Sequence, residues 1–362
     1  MTSEIQLQRL RDLGNMFCHT PLVEVVCRLR GREYRVFGKY EGYNFSGSIK
    51  DRVSFSVLKY SYERNLIRLG DEIVEVTSGN TGIAFAALGR ALGHRIHIIM
   101  PDWLSAERYA LMELYGASVE RVSLAEGGFL MSLMKARERA KLPGVFYPDQ
   151  FSNEFNVLAH QLTTAPEICG QLSAIGRSPS LFVAGVGTGG TVMGFARYVR
   201  ELGIDCRCHP LEPSNSPTLS TGGRKIGTHR LQGISDEFIP AIVNLKELAS
   251  IVSVDDGDAI IMAQQLNRCG LSVGISTGAN FLGALQLLLA NDAPADLTVV
   301  TIFSDSAVKY LSTGLCRSEP VKENFLSRDL EILGFQVHAS PRLECNPFME
   351  AFPSGSPGDW HI

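Results

Sequence analysis

The sequence predicts an α/β protein in two units, each with a mostly parallel twisted sheet covered by helices. Three observations predict it. Short runs rich in β-branched and apolar residues alternate with longer stretches of helical period. The alternation breaks near Tyr147 to Asn156 and then resumes. Several runs also end in glycine- and hydroxyl-rich turns that open a helix, the βα step of a parallel sheet.

In the first unit the strand-like runs are RVFGKY (35–40), DEIVEVT (71–77), RIHIIM (95–100) and ASVERVS (117–123), with a helical stretch from Asp51 to Asn65. In the second they are SLFVAGV (180–186), CRCHPLEP (206–213), ASIVSVD (249–255) and LTVVTIF (297–303), with helices after Gly190 and from Gly257 to Cys269. Residues 214–233 carry no period and read as a long functional loop at the mouth of a site. From Gly314 to Ile362 the alternation is lost, and this segment is expected to be a loosely ordered tail.

With 362 residues and 45% hydrophobic content, the chain has enough apolar material for two cores. A net charge of −4 with scattered cations argues against nucleic acid or an anionic membrane as partner. No apolar run reaches the roughly 18 residues of a spanning helix, and the polar, acid-containing N-terminus is unlike a secretory signal, so a cytoplasmic protein is expected. Eight scattered cysteines lack a disulfide framework. Cys206, Cys208 and His209 lie close in sequence, but alternate side chains of a strand face opposite ways and no second ligand pair follows, so no metal is expected.

Three turns carry the chemistry. NFSGSIKDR (44–52) sets Lys50 at a helix start, where the dipole disfavours its protonated form; such a lysine is otherwise a solvated surface residue. GVGTGGTVMG (185–194) joins a strand to a helix, and backbone N–H groups of Gly187, Thr188, Gly189 and Gly190 with the Thr188 and Thr191 hydroxyls can surround a phosphate. A dinucleotide loop or a plain tight turn remains open there, whereas a nucleotide kinase does not, for want of the lysine that its phosphate loop carries. TSGNTG (77–82) forms either a second anion cup or simple helix capping. Together, one lysine and two cups suit a phosphorylated cofactor plus an amino acid.

In order and spacing, these residues resemble the cysteine synthase and cystathionine β-synthase family of fold-type II pyridoxal-phosphate enzymes, with the tryptophan-synthase-β-like fold. The likeness runs from GNMFCHTPLVEV at Gly14 to SDSAVKYLST at Thr313, about six-sevenths of the chain. The resemblance implies a larger cofactor-binding domain of residues 1–49 and 156–313 and a smaller mobile one of 50–155, with pyridoxal 5′-phosphate in the cleft between them. It implies that Lys50 carries the cofactor as a Schiff base and later acts as the base at Cα. Asn80 would meet the ring hydroxyl, Gly187 to Thr191 the phosphate, and Ser276 the pyridine nitrogen. Thr77, Ser78, Thr81 and Gln150 would hold the substrate carboxylate, with Gly233 beside them.

The reaction so implied is β-replacement on O-acetyl-L-serine or O-phospho-L-serine by a sulfur nucleophile, giving L-cysteine or a relative. An amino-acid, ammonia, homocysteine or thiosulfate nucleophile is the alternative, and an inactive scaffold that binds a partner's C-terminal peptide is the rival of another class. A serine or threonine dehydratase fits QFSNEFN (150–156) less well. Two departures from the family pattern stand out: Ala165 in TTAPEI, and Ser235 after Gln232-Gly233-Ile234, close to where the nucleophile should arrive. Arg224, Lys225, His229 and Arg230 form either a cationic site mouth for an anionic substrate or an ordinary solvated loop. A homodimer and a serine acetyltransferase partner are implied by resemblance. The chain's own end, Asp359 to Ile362, is a candidate visitor to the carboxylate pocket.

Overall fold

The computed structural model describes residues 2–339 apart from Asp236, Ala293 and Ala295. The proposed role of Asp359 to Ile362 lies outside the described residues. The helices are α1 (Thr2–Gly14), α2 (Lys50–Glu63), α3 (Asn80–Ala91), α4 (Ala106–Leu114), α5 (Gly128–Arg139), α6 (Glu154–Ala159), α7 (Ala165–Ala174), α8 (Gly190–Glu201), α9 (Asp256–Arg268) and α10 (Ile275–Ala290). The strands are β1 (Leu22–Leu29), β2 (Arg32–Tyr40), β3 (Glu72–Val76), β4 (Arg95–Pro101), β5 (Ser118–Val122), β6 (Val145–Phe146), β7 (Leu181–Gly185), β8 (Arg207–Pro213), β9 (Val252–Val254), β10 (Val299–Phe303) and β11 (Leu330–His338).

They form a four-stranded sheet in the order β5-β4-β3-β6, parallel throughout, and a seven-stranded sheet in the order β11-β1-β2-β10-β7-β8-β9. In the larger sheet β2, β10, β7, β8 and β9 run parallel, and β1 is antiparallel to both of its neighbours. The central strand β10, VVTIF, is buried at every residue, as a parallel strand covered on both faces must be. Helix α10 packs against it and is apolar nearly all round.

Two expectations are corrected. Residues 1–49 do not all belong with the larger sheet: Leu10 of α1 and Phe17 share a core with Val53, Phe55, Ile73, Ile83 and Ile96 of the smaller unit. The segment after Gly314 is not wholly an appended tail either, because β11 pairs with β1 from Leu22–His338 to Leu29–Leu330, and His338 meets Glu24 at 2.9 Å. Among the described residues no helix is long and apolar enough to cross a membrane, and no cluster of three or more His, Cys, Asp or Glu is placed to hold a metal.

The start of α2 is fastened twice. The Asp51 carboxylate accepts N–H bonds from Ser46 at 2.9 Å and Ser48 at 3.2 Å and a hydroxyl bond from Ser46 at 2.6 Å, closing the turn before the helix. One residue on, the fully buried Arg52 bridges Glu41 at 2.6 Å and Glu167 at 2.7 Å, and Glu167 also meets the buried Lys39 at 2.8 Å. Two cations thus face two carboxylates without solvent.

Candidate active site

A cleft of about 750 Å³, open to solvent, lies between the two sheets. The smaller unit lines it with Lys50, Thr77, Ser78, Asn80, Thr81 and Gln150, and the larger with Gly187, Thr188, Gly189, Thr191, Gly233 and Ser276. Gly190, the first residue of α8, is not among the residues that line it. The structure therefore gathers in one place residues spread over more than half the chain.

Lys50, half-buried, is the first residue of α2. The Thr77–Thr81 turn follows β3 and opens α3. Thr77 Oγ1 accepts the Gly79 N–H at 2.8 Å, and Thr81 Oγ1 donates to Gln150 Oε1 at 2.6 Å. Gln150 Nε2 donates in turn to the Val76 carbonyl at 2.5 Å, so its amide orientation is fixed from both ends. Gly79 has φ +143°, and a Cβ there would lie 2.0 Å from Arg108 Cδ. Only glycine lets this turn rest on the buried arginine stem.

The glycine loop caps α8 at its N-terminus, where N–H groups lack helical partners. Asn156 braces it: Nδ2 donates to the Gln150 carbonyl at 2.8 Å and to Thr188 Oγ1 at 2.9 Å, tying the two cups together, while its buried Oδ1 has no protein partner. Behind Thr191 lies His160, 3.4 Å from its hydroxyl, in a π-helical turn over His160–Thr164. Burial first, and then the charges of Lys50 and Arg52, hold His160 well below the usual histidine range, so it is neutral. At the start of α10, Asn280 accepts the Gly185 N–H at 2.8 Å, which fixes the helix carrying Ser276 against the loop.

A Cβ at Gly187 would lie 2.3 Å from the Gly233 carbonyl oxygen. Gly187→Ala is therefore expected to displace the loop at a cost of about 1–3 kcal/mol, weakening cofactor retention roughly ten- to a hundredfold by equilibrium dialysis.

Sequence reasoning missed Asn156, Asn280 and Arg108. The first lay within QFSNEFN and was read only as part of a signature; the others carry no local signal. Of the two readings left open for the loop cations, the structure favours the ordinary loop over an anion-binding mouth for Arg230 and His229. Arg230 is held by Asp256 at 3.0 Å and Glu319 at 2.7 Å. His229 donates Nε2–H to the Ser235 carbonyl at 2.9 Å, and burial lowers its pKa. Arg224 and Lys225 are exposed. The Ser235 hydroxyl lies 3.3 Å from that of Thr218 and holds the loop to itself.

These residues fit the cofactor that the resemblance implies. A glycine cradle with no room for a Cβ, two hydroxyls at a helix N-terminus and a lysine across the same cleft meet the needs of a phosphorylated aldehyde. The neutral Ser276 hydroxyl suits an unprotonated ring nitrogen.

The family model described as "Pyridoxal-phosphate dependent enzyme" matches residues 16–305. A probable cysteine synthase of Bacillus subtilis is 37% identical over 311 residues, covering 85% of this chain and 98% of that protein. The crystal structure of a hydrogen sulfide-producing enzyme from Fusobacterium nucleatum is 51% identical with a TM-score of 0.86, covering 91% of this chain and 99% of that one. That of O-ureido-L-serine synthase is 32% identical with a TM-score of 0.76, covering 86% and 97%. Because the match spans both sheets and the cleft between them, the chain belongs to the pyridoxal-phosphate dependent enzymes of fold type II, as a cysteine-synthase-like enzyme of β-replacement on O-activated serine whose cofactor is pyridoxal 5′-phosphate.

Proposed function

We propose that the donor is O-acetyl-L-serine and the nucleophile sulfide, giving L-cysteine. The observation that carries this reading is the pair of strand-to-helix turns, one from each unit, that line the same cleft as Lys50. The Gly187–Thr191 turn holds the cofactor phosphate, and Thr77, Ser78, Thr81 and Gln150 hold the substrate carboxylate. The bound cofactor supplies an electron sink that acidifies the Cα proton. Lys50 takes that proton once the substrate has displaced it, and acetate leaves as the Cβ–O bond breaks. Ser276 offers the ring nitrogen a hydroxyl and not a carboxylate, which favours departure of the β-substituent. With Arg230 held by two carboxylates, a leaving group of low charge suits the mouth better than a phosphate.

A second reading, L-cysteine as donor with release of hydrogen sulfide, is favoured by the 51% identity to the hydrogen sulfide-producing enzyme. Stopped-flow absorbance with O-acetyl-L-serine, O-phospho-L-serine and L-cysteine separates them. O-Acetyl-L-serine is expected to change the visible spectrum within seconds, and added sulfide to restore it with formation of cysteine. The phosphorylated donor should react at least about tenfold more slowly. Sulfide release from L-cysteine outpacing cysteine formation would give the second reading precedence. We further propose a homodimer in the cytoplasm, its mass to be read by sedimentation equilibrium, and weigh a serine acetyltransferase as partner through a pull-down.

A further inference from the structure

Lys309 and Asp305 lie on the turn after β10, 2% and 0% exposed, behind the cleft wall. Lys309 Nζ donates to Asn80 Oδ1 at 3.0 Å and to the Gly47 carbonyl at 3.1 Å. Asp305 Oδ2 accepts from Asn80 Nδ2 at 2.7 Å and from the Tyr310 hydroxyl at 2.8 Å. An ammonium cannot accept a hydrogen bond and a carboxylate cannot donate one, so a single orientation of the Asn80 amide satisfies both partners. One Nδ2 hydrogen of Asn80, on a residue that lines the cleft, remains beyond the bond to Asp305.

The same pair also braces the lysine loop. Gly47 precedes Lys50 by three residues, and Ser48 forms an isolated antiparallel bridge with Asp305. Burial lowers the Lys309 pKa, opposed by Asp305 and Asp51 and reinforced by Arg108. Burying an ammonium here costs free energy that an apolar side chain would not.

We propose that Lys309 and Asp305 are positioning residues for the cofactor's ring oxygen. They fix the Asn80 amide so that an N–H meets that oxygen, and the Lys309 charge, relayed through the amide, favours its anionic form. This rests on the reading that Asn80 binds the ring oxygen.

A double-mutant cycle on the holoenzyme tests it, with Lys309→Met and Asn80→Ala read by visible absorbance and by the dissociation constant of pyridoxal phosphate. Lys309→Met alone is expected to shift the absorbance of the bound cofactor and to weaken its binding about tenfold. In the Asn80→Ala background the same change should matter less than about twofold. Equal effects in both backgrounds, or none in the Lys309→Met protein, overturn the proposal, since a merely structural lysine would act regardless of Asn80. Asn80→Ala leaving spectrum and affinity untouched would remove the reading of Asn80 itself, a separate failure. Should Lys309→Met not fold, as judged by circular dichroism, Lys309→Gln takes its place in the cycle. Its amide keeps a donor without the charge, so the absorbance shift should persist while the affinity loss shrinks, and an unshifted spectrum overturns the proposal.

Discussion

Lys50→Ala is expected to reduce turnover by about three orders of magnitude or more and to leave no cofactor attached to the chain. Reduction with borohydride followed by peptide mass spectrometry reads the attachment directly: wild-type protein should carry the reduced cofactor on the peptide containing Lys50, and the variant on none. The fold should persist, because the turn before α2 is closed by Asp51 and the helix is anchored by Arg52. The other lysine close to the cleft, Lys309, already donates to Asn80 and Gly47. A variant that kept the visible band at full strength would refute the assignment of Lys50.

The largest effect on stability is expected two residues further on. Arg52→Met leaves Glu41 and Glu167 buried with Lys39 as their nearby cation, and breaking such a network costs about 3–5 kcal/mol. Urea unfolding of the apoprotein at pH 7 measures it, and a loss under about 1 kcal/mol would show that water or a shift of Lys39 compensates. Glu167 adds a pH signature. Burial alone would raise its carboxyl, but Arg52 and Lys39 outweigh burial and hold it well below the ordinary value of 4.5. A carboxyl whose folded pKa is depressed binds its proton more readily in the unfolded chain. Its stabilisation is complete above pH 4.5 and is lost as the pH falls from there toward the folded pKa. The gap in stability between wild type and Glu167→Gln should therefore be constant from pH 7 to 5 and narrow below it; a gap that widened in acid would contradict the sign.

Much of the cleft was legible because its signals are local. A glycine that must approach a carbonyl, a hydroxyl at a helix start and a lysine at a helix start are each marked by their immediate sequence neighbours, so 77–82 and 185–194 could be read as the strand-to-helix turns that line it. Strands β2 to β5 and β7 to β10 were visible for a similar reason, as apolar runs with a two-residue or continuous period, whereas the two-residue β6 was not. What escaped depends on distant partners. Lys309 and Asp305 meet Asn80 from 229 and 225 residues away. The role of the cationic loop stayed open because Asp256 and Glu319, which hold Arg230, lie 26 and 89 residues further along. Helix α1 is mostly polar and gains its place from Leu10 and a few neighbours. Strand β11 is an edge strand, half solvated, whose pattern is interrupted by Gly334.

Strand order has a consequence for synthesis on the ribosome. The larger sheet is built from both ends of the chain, and β10 fits between β2 and β7 although it emerges after nearly everything else. The nascent protein can assemble the parallel β3–β6 sheet early from neighbouring segments, but β2 and β7 must wait for residues 299–303 before they can be joined. A premature stop before that point leaves two hydrophobic strands with open edges, the kind of surface that chaperones shield and that aggregates when they do not.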